Sequence, residues 1–217
     1  MLVLLTTLTS FAQKKKTFYD SLDNETTFEP YWSQVVGGRY KSVSNNKVYT
    51  LVRTTEKEFK EEVSKTENRI IKKDRIGIDF KEFKAIDLKG DSIDKNDFKG
   101  KINVINVWFI GCSPCEMERP ELNGLVDLYK GNNNVVFISF ARNDANELPP
   151  FLANHPVLYK IIPTQKSEII RIFGADVYPA NIIVDKDGKY FFNSSGTGIG
   201  VSYILKREID RALANIQ

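Results

Sequence analysis

The chain has 217 residues, 41% of them hydrophobic, a net charge of +3 and a single histidine, His155. That length and apolar content suit one core domain plus an extension, or two small domains. So small a charge, with no basic stripe interleaved with aromatics, argues against nucleic-acid binding, and one histidine is too few for a His-rich metal site.

The first twelve residues read as an export signal. Leu2 to Leu8 form an apolar run and Ser10-Phe11-Ala12 a small-x-small cleavage site, although no basic residue precedes the run and Lys14, Lys15 and Lys16 follow it. The run is too short to span a bilayer, which needs ~20 apolar residues. Residues 13–75 form a charged extension. Within it, Arg39 to Val43 and Val48 to Val52 read as two strands joined at Asn45-Asn46, turn formers that tolerate positive φ. Thr55 with Glu58 three residues on is a capping box, which starts a helix to about Lys65 with Phe59 and Val63 on one face. The charge-dense stretch from Ser64 to Asp74 reads as a linker or a frayed helix end.

From residue 76 the pattern sharpens. Phe83 to Asp87 and Ser92-Ile93, around Lys89-Gly90-Asp91, form a small hairpin. Asn103 to Phe109 is a nearly unbroken apolar run, as a strand buried on both faces requires. A helix from Ser113 to about Leu128 follows, then a strand from Val135 to Ala141. Pro149-Pro150 start a short helix to Asn154, and Val157 to Ile162 form a short strand. Lys166 to Phe173 is a helix stopped by Gly174. Strands Ala180 to Asp185 and Lys189 to Asn193 turn at Lys186-Asp187-Gly188, and a last helix begins near Ile199. Buried strands alternating with helices, closed by a hairpin, imply a three-layer α/β sandwich with a mixed central sheet over residues 76–217.

Both cysteines of the chain lie in "NVWFIGCSPCEMERP", residues 106–120. A structural zinc site needs four ligands, and two cysteines with one distant histidine cannot build it. A structural disulfide across two residues removes little chain entropy. The third reading is a dithiol that cycles. The pair lies where a buried strand ends and a helix begins, so free amides and the positive end of the helix dipole favour a thiolate at Cys112. Pro114 in the first turn costs no hydrogen bond. Cys115, one turn deeper and expected to be more buried, resolves the mixed disulfide.

This segment resembles the active-site stretch of thioredoxin-like proteins, nearest to the exported TlpA-like thiol-disulfide oxidoreductases. The lead-in "IDFKEFKAIDLKGDSIDKNDFKGKINVINVWF" and the later "GADVYPANIIVDKDGK" are similar to the same family, so the likeness covers about residues 76–217. The resemblance implies a cis peptide before Pro179, opposite the dithiol, where it helps receive a substrate backbone, and a helix kink at Pro120. It also implies a proton-accepting role for Glu118, three residues beyond Cys115 on the same helix face, where burial would raise its pKa. A solvated helix glutamate is the plain alternative. Tyr178, preceding Pro179, and Gly111, standing where relatives often have tryptophan, join Pro179 as substrate-facing positions. Asn106 stands where ordinary thioredoxins have a buried aspartate, and Trp108 and Phe109 are expected in the core. His155 reads as a surface loop residue.

The function implied is dithiol–disulfide exchange, most readily reduction of client-protein disulfides, by a monomer without a bound cofactor or metal. The protein is expected in the periplasm or cell envelope, re-reduced by a membrane-bound electron donor. A peroxiredoxin-like peroxidase is a rival, but Phe109-Ile110-Gly111 precede Cys112 where that site needs threonine and proline. A copper-binding chaperone is another, since thiolates suit Cu(I), with His155 the sole further ligand and in the wrong region. Residues 17–75 read as a partner-docking module or a cover for one sheet edge, and their removal is expected to leave folding and basic exchange intact.

Overall fold

The computed structural model describes residues 16–215; the export-signal reading lies outside the described residues. The extension opens with strands β1 (Thr17–Tyr19) and β2 (Glu25–Thr26) and helix α1 (Phe28–Val36), none of them foreseen. The segment of α1, "FEPYWSQVV", is aromatic-rich and carries Pro30, which reads as a breaker. In the first turn a proline removes no intrahelical bond, and Tyr31, Val35 and Val36 are buried. Strands β3 (Tyr40–Asn45) and β4 (Val48–Arg53) form the expected hairpin, with Asn46 and Lys47 at positive φ.

Helix α2 (Glu56–Ile70) starts at the Thr55–Glu58 capping box. It runs past the foreseen end at Lys65, so most of the stretch read as a linker or frayed helix end is helix. Thr66 and Ile70 continue the buried face begun by Val63, while the charges face outward, where Glu67 pairs with Arg207 at 2.5 Å and Arg69 donates to the Thr197 carbonyl. A helix with so narrow an apolar face gains its stability from the surface it packs on. That surface is the larger domain: Val36, Val63 and Ile70 share one buried cluster with Leu122, Ile183, Ile204 and Leu205.

After α2 the chain lies along the edge of the main sheet. The Lys72 amide donates to Asn193 O, Gly77 to Tyr190 O and Phe80 to Gly188 O. A hairpin of β5 (Lys84–Ile86) and β6 (Ser92–Asp94) follows. The main sheet comprises β7 (Ile102–Trp108), β8 (Val135–Ala141), β9 (Lys160–Pro163), β10 (Ala180–Val184) and β11 (Tyr190–Ser195), in the order β11-β10-β7-β8-β9. Pairs β7–β8 and β8–β9 are parallel; β10 runs antiparallel to β7 and β11. The helices are α3 (Ser113–Leu128), α4 (Leu148–Leu152), α5 (Lys166–Phe173) and α6 (Val201–Ala214). This is the expected α/β sandwich with a mixed central sheet. Strand β9 starts at Lys160 rather than Val157.

Every residue of β7 is buried, and strict alternation divides them between two layers. Ile102 and Val104 face the cluster of α3 and α6, while Ile105 and Val107 face Phe80, Phe83, Phe98 and the α5 side chains Ile169, Ile172 and Phe173. The same alternation sends Asn106 and Trp108 to the α3 side, beneath the dithiol.

Candidate active site

Strand β7 ends at Trp108, and residues 109–111 carry the chain over to α3. Gly111 takes φ +87 there, a region that L side chains rarely adopt. The Asn143 side chain accepts the Ile110 amide at 2.8 Å and holds this turn. Cys112 is the N-cap of α3, in extended conformation, with its sulfur accepting the Cys115 amide at 3.3 Å. The two sulfurs are bonded to each other, with the Cα atoms 5.3 Å apart. Pro114 sits within the first turn, and α3 continues unbroken through Pro120 to Leu128; Pro120 does not start a separate helix.

The expected contrast in burial between the cysteines is absent in this disulfide form: Cys112 is 4% exposed and Cys115 7%. Both belong to a cluster with Trp108, Ala141, Leu148 and Ile161, against which Phe109, Ile110 and Tyr178 pack. Position on the helix distinguishes the sulfurs: Cys112 caps the amide end, where the dipole is most positive, and Cys115 stands within the first turn. Trp108 is core, its Nε1 donating to Ser139 Oγ at 3.0 Å. Phe109, expected in the strand and the core, lies beyond the strand end and is half-exposed. It meets Tyr178 edge-to-face at 5.1 Å between ring centroids. The Tyr178–Pro179 peptide is cis, and the Tyr178 hydroxyl is buried without a hydrogen-bond partner. The sheet and its loops thus gather Gly111, Cys112, Cys115, Tyr178 and Pro179 at one end of the fold.

Glu118 points from α3 into the sheet and is fully buried. Its neighbours are polar because β10 follows the same alternation as β7: Asn181 pairs in register with Asn106. The Asn106 Nδ2 donates to Asn181 Oδ1 at 2.9 Å, and Asn181 Nδ2 donates to Glu118 Oε2 at 3.1 Å. The other carboxylate oxygen makes no hydrogen bond. Loss of water therefore dominates and raises the Glu118 pKa from 4.5 to about 7, with the nearby Thr197 hydroxyl and the Asn181 amide pulling partly the other way. The plain alternative of a solvated glutamate does not hold. A cavity of about 10 Å³, roughly the room of one water molecule, is lined by Asn106, Cys115 and Tyr159. It lies between Cys115 and Asn106, the first member of the polar chain that ends on Glu118.

Asn181 and Thr197 were missed in the sequence. The signal for Asn181 was available: it interrupts an apolar run two residues after Pro179, and a buried polar side chain in a central strand needs a partner. His155 is half-buried rather than on a free surface loop, its ring stacked on Phe151 at 4.3 Å. Among the described residues, no group of three or more His, Cys, Asp or Glu side chains is arranged to hold a metal ion.

Known proteins resemble this chain in sequence and fold. The thiol-disulfide oxidoreductase ResA of Bacillus thuringiensis is 32% identical over 114 residues, 52% of this chain and 66% of the relative, so the chain spans just under two thirds of that protein's length. ResA of Geobacillus kaustophilus is 24% identical over 142 residues, 65% of this chain and 78% of the relative. Among solved structures, a thiol:disulfide interchange protein of the thioredoxin family from Chlorobium tepidum superposes with a TM-score of 0.53 at 18% identity, covering 62% of this chain and 95% of that one. The thioredoxin domain of a thiol-disulfide oxidoreductase from Bacteroides vulgatus gives 0.53 at 23%, covering 62% and 97%. Residues 76–190, more than half of the chain, match the AhpC/TSA family model, and the chain belongs to that family, as a member of thioredoxin-like fold and TlpA-like type.

Proposed function

We propose that the protein reduces disulfides of client proteins by dithiol–disulfide exchange at Cys112-Ser113-Pro114-Cys115. The observation that carries this reading is a sulfur pair that closes on itself across the amide end of α3. In the reduced protein the Cys112 thiolate attacks one sulfur of the client disulfide. The new S–S bond forms a mixed disulfide and the client's other sulfur leaves as a thiolate, which takes up a proton. Cys115 then loses its proton and attacks the Cys112 sulfur, which restores the protein disulfide and frees the client as a dithiol. Two electrons pass from the protein to the client.

Glu118 is the proposed acceptor of the Cys115 proton: a water-sized cavity lies against Cys115 and Asn106, and Asn106 leads through Asn181 to the carboxylate. A carboxyl group titrating near 7 is matched to that task, because it is basic enough to accept and acidic enough to release. Tyr178, Pro179 and Gly111 form the proposed surface that receives the client backbone. The reading carries with it a location outside the cytosol and a membrane-bound electron donor that returns the pair to the dithiol; one chain supplies both sulfurs and the carboxylate. Among the described residues no helix is long and apolar enough to cross a membrane. A peroxidase reading finds no threonine or proline ahead of Cys112, only Phe109, Ile110 and Gly111.

The test is a disulfide-reduction assay with a regenerating reductant. Cys112→Ser should abolish turnover, and Cys115→Ser should accumulate a mixed disulfide with the client, visible on a non-reducing gel. Turnover that survives the loss of Cys112 would overturn the proposal.

A further inference from the structure

Arg142, the residue after β8, stands at the carboxyl end of a parallel strand, the end of an α/β sheet where ligands gather. Its amide donates to the Trp108 carbonyl at 2.8 Å, which fixes it beside the crossover into α3. The guanidinium carbon lies 4.0 Å from the centre of the Phe109 ring and 5.1 Å from that of Tyr178. Stacking of this kind holds a guanidinium by its face and leaves its in-plane N–H donors free. Here those donors make no hydrogen bond and no ion pair among the described residues, and none is sealed from solvent without a partner. The neighbouring carboxylates are engaged elsewhere: Asp144 accepts from Gln165, and Glu147 accepts from Asn143 and from the Asp144 amide. Both aromatic rings pack against the Cys112–Cys115 cluster.

We propose that Arg142 is a specificity-determining residue, whose stacked guanidinium receives a carboxylate of the client and favours disulfides flanked by Asp or Glu. The proposal rests on the exchange reading above. A guanidinium with unengaged N–H donors suits bidentate contact with a carboxylate, and the two rings that hold it pack against the cluster containing both sulfurs. The edge-to-face pair of Phe109 and Tyr178, with the Arg142 guanidinium over it, puts a positive charge beside the dithiol cluster.

The experiment uses the reduced full chain and three peptides with one internal disulfide, identical except for Glu, Gln or Lys beside the cysteine. The second-order rate of protein oxidation is followed by tryptophan fluorescence. The Glu peptide should react about three- to fivefold faster than the Gln peptide, the scale of a solvent-exposed ion pair, and the advantage should shrink at high salt. In Arg142→Gln the Glu/Gln ratio should fall to about one. Arg142→Lys, which keeps the charge without the fork, should lower it in part. Lys57→Gln, an equal change in net charge on exposed α2, should leave it intact. A wild-type ratio near one, or a wild-type ratio in both Arg142 variants, overturns the proposal. No reaction with any peptide, or reaction persisting in Cys112→Ser, would instead sink the exchange reading on which it rests.

Discussion

Replacing Glu118 by Gln isolates the cost of burying a carboxylate beneath the dithiol. In the unfolded chain Glu118 titrates near 4.5, and in the fold near 7. The folded state therefore resists ionising it. Below about pH 4.5 the group is protonated in both states and costs nothing. As the pH rises toward 7, the unfolded state loses its proton first, and stability falls. Above the folded pKa the penalty is constant, roughly 3 kcal/mol for an interval of this size. Gln has nearly the same shape and does not titrate. Urea unfolding of the disulfide form at pH 4 to 8 should give similar stabilities for wild type and Glu118→Gln near pH 4, then a growing advantage for the variant that levels off above pH 7 at up to about 3 kcal/mol. Two parallel profiles would refute the argument, because they would mean that Glu118 titrates alike in both states.

Two further outcomes test the frame around the site. Gly111→Ala adds a Cβ that meets nothing within 4 Å, so its cost is the positive φ alone; it should lower unfolding stability by about 1 kcal/mol, and an unchanged denaturation midpoint would contradict this. Ile70→Ala, at a fully buried α2 position inside the shared core, should cost about 2–5 kcal/mol while unfolding stays a single transition. Two separated transitions would show that the extension folds by itself.

The central elements were legible because their signals are local. The bounds of α3, β8 and α5 fall where periodicity, Pro114 and Gly174 put them, and the capping box marks the start of α2. The end of α2 was not legible, since its last turns are polar apart from Ile70, and what holds them is a surface far away in the chain, including Arg207 of α6, which pairs with Glu67. Helix α1 escaped because aromatic anchoring replaces the aliphatic period. At the site, the cysteines and the cis peptide came from motifs, and the burial of Glu118 was only one of two readings. Its partner Asn181 and the nearby Thr197 hydroxyl are brought to it by strand pairing and a later loop, which no spacing along α3 reveals. Arg142 was invisible for the same reason: its position depends on where β8 ends relative to Phe109 and Tyr178.

The segment that follows α2 has a consequence for self-association. It occupies the outer flank of β11 with hydrogen bonds from Lys72, Gly77 and Phe80. A free strand margin at that flank would invite a neighbouring molecule to extend the sheet. Instead the chain caps its own margin, so a second molecule can add there only after residues 71–80 have been peeled away.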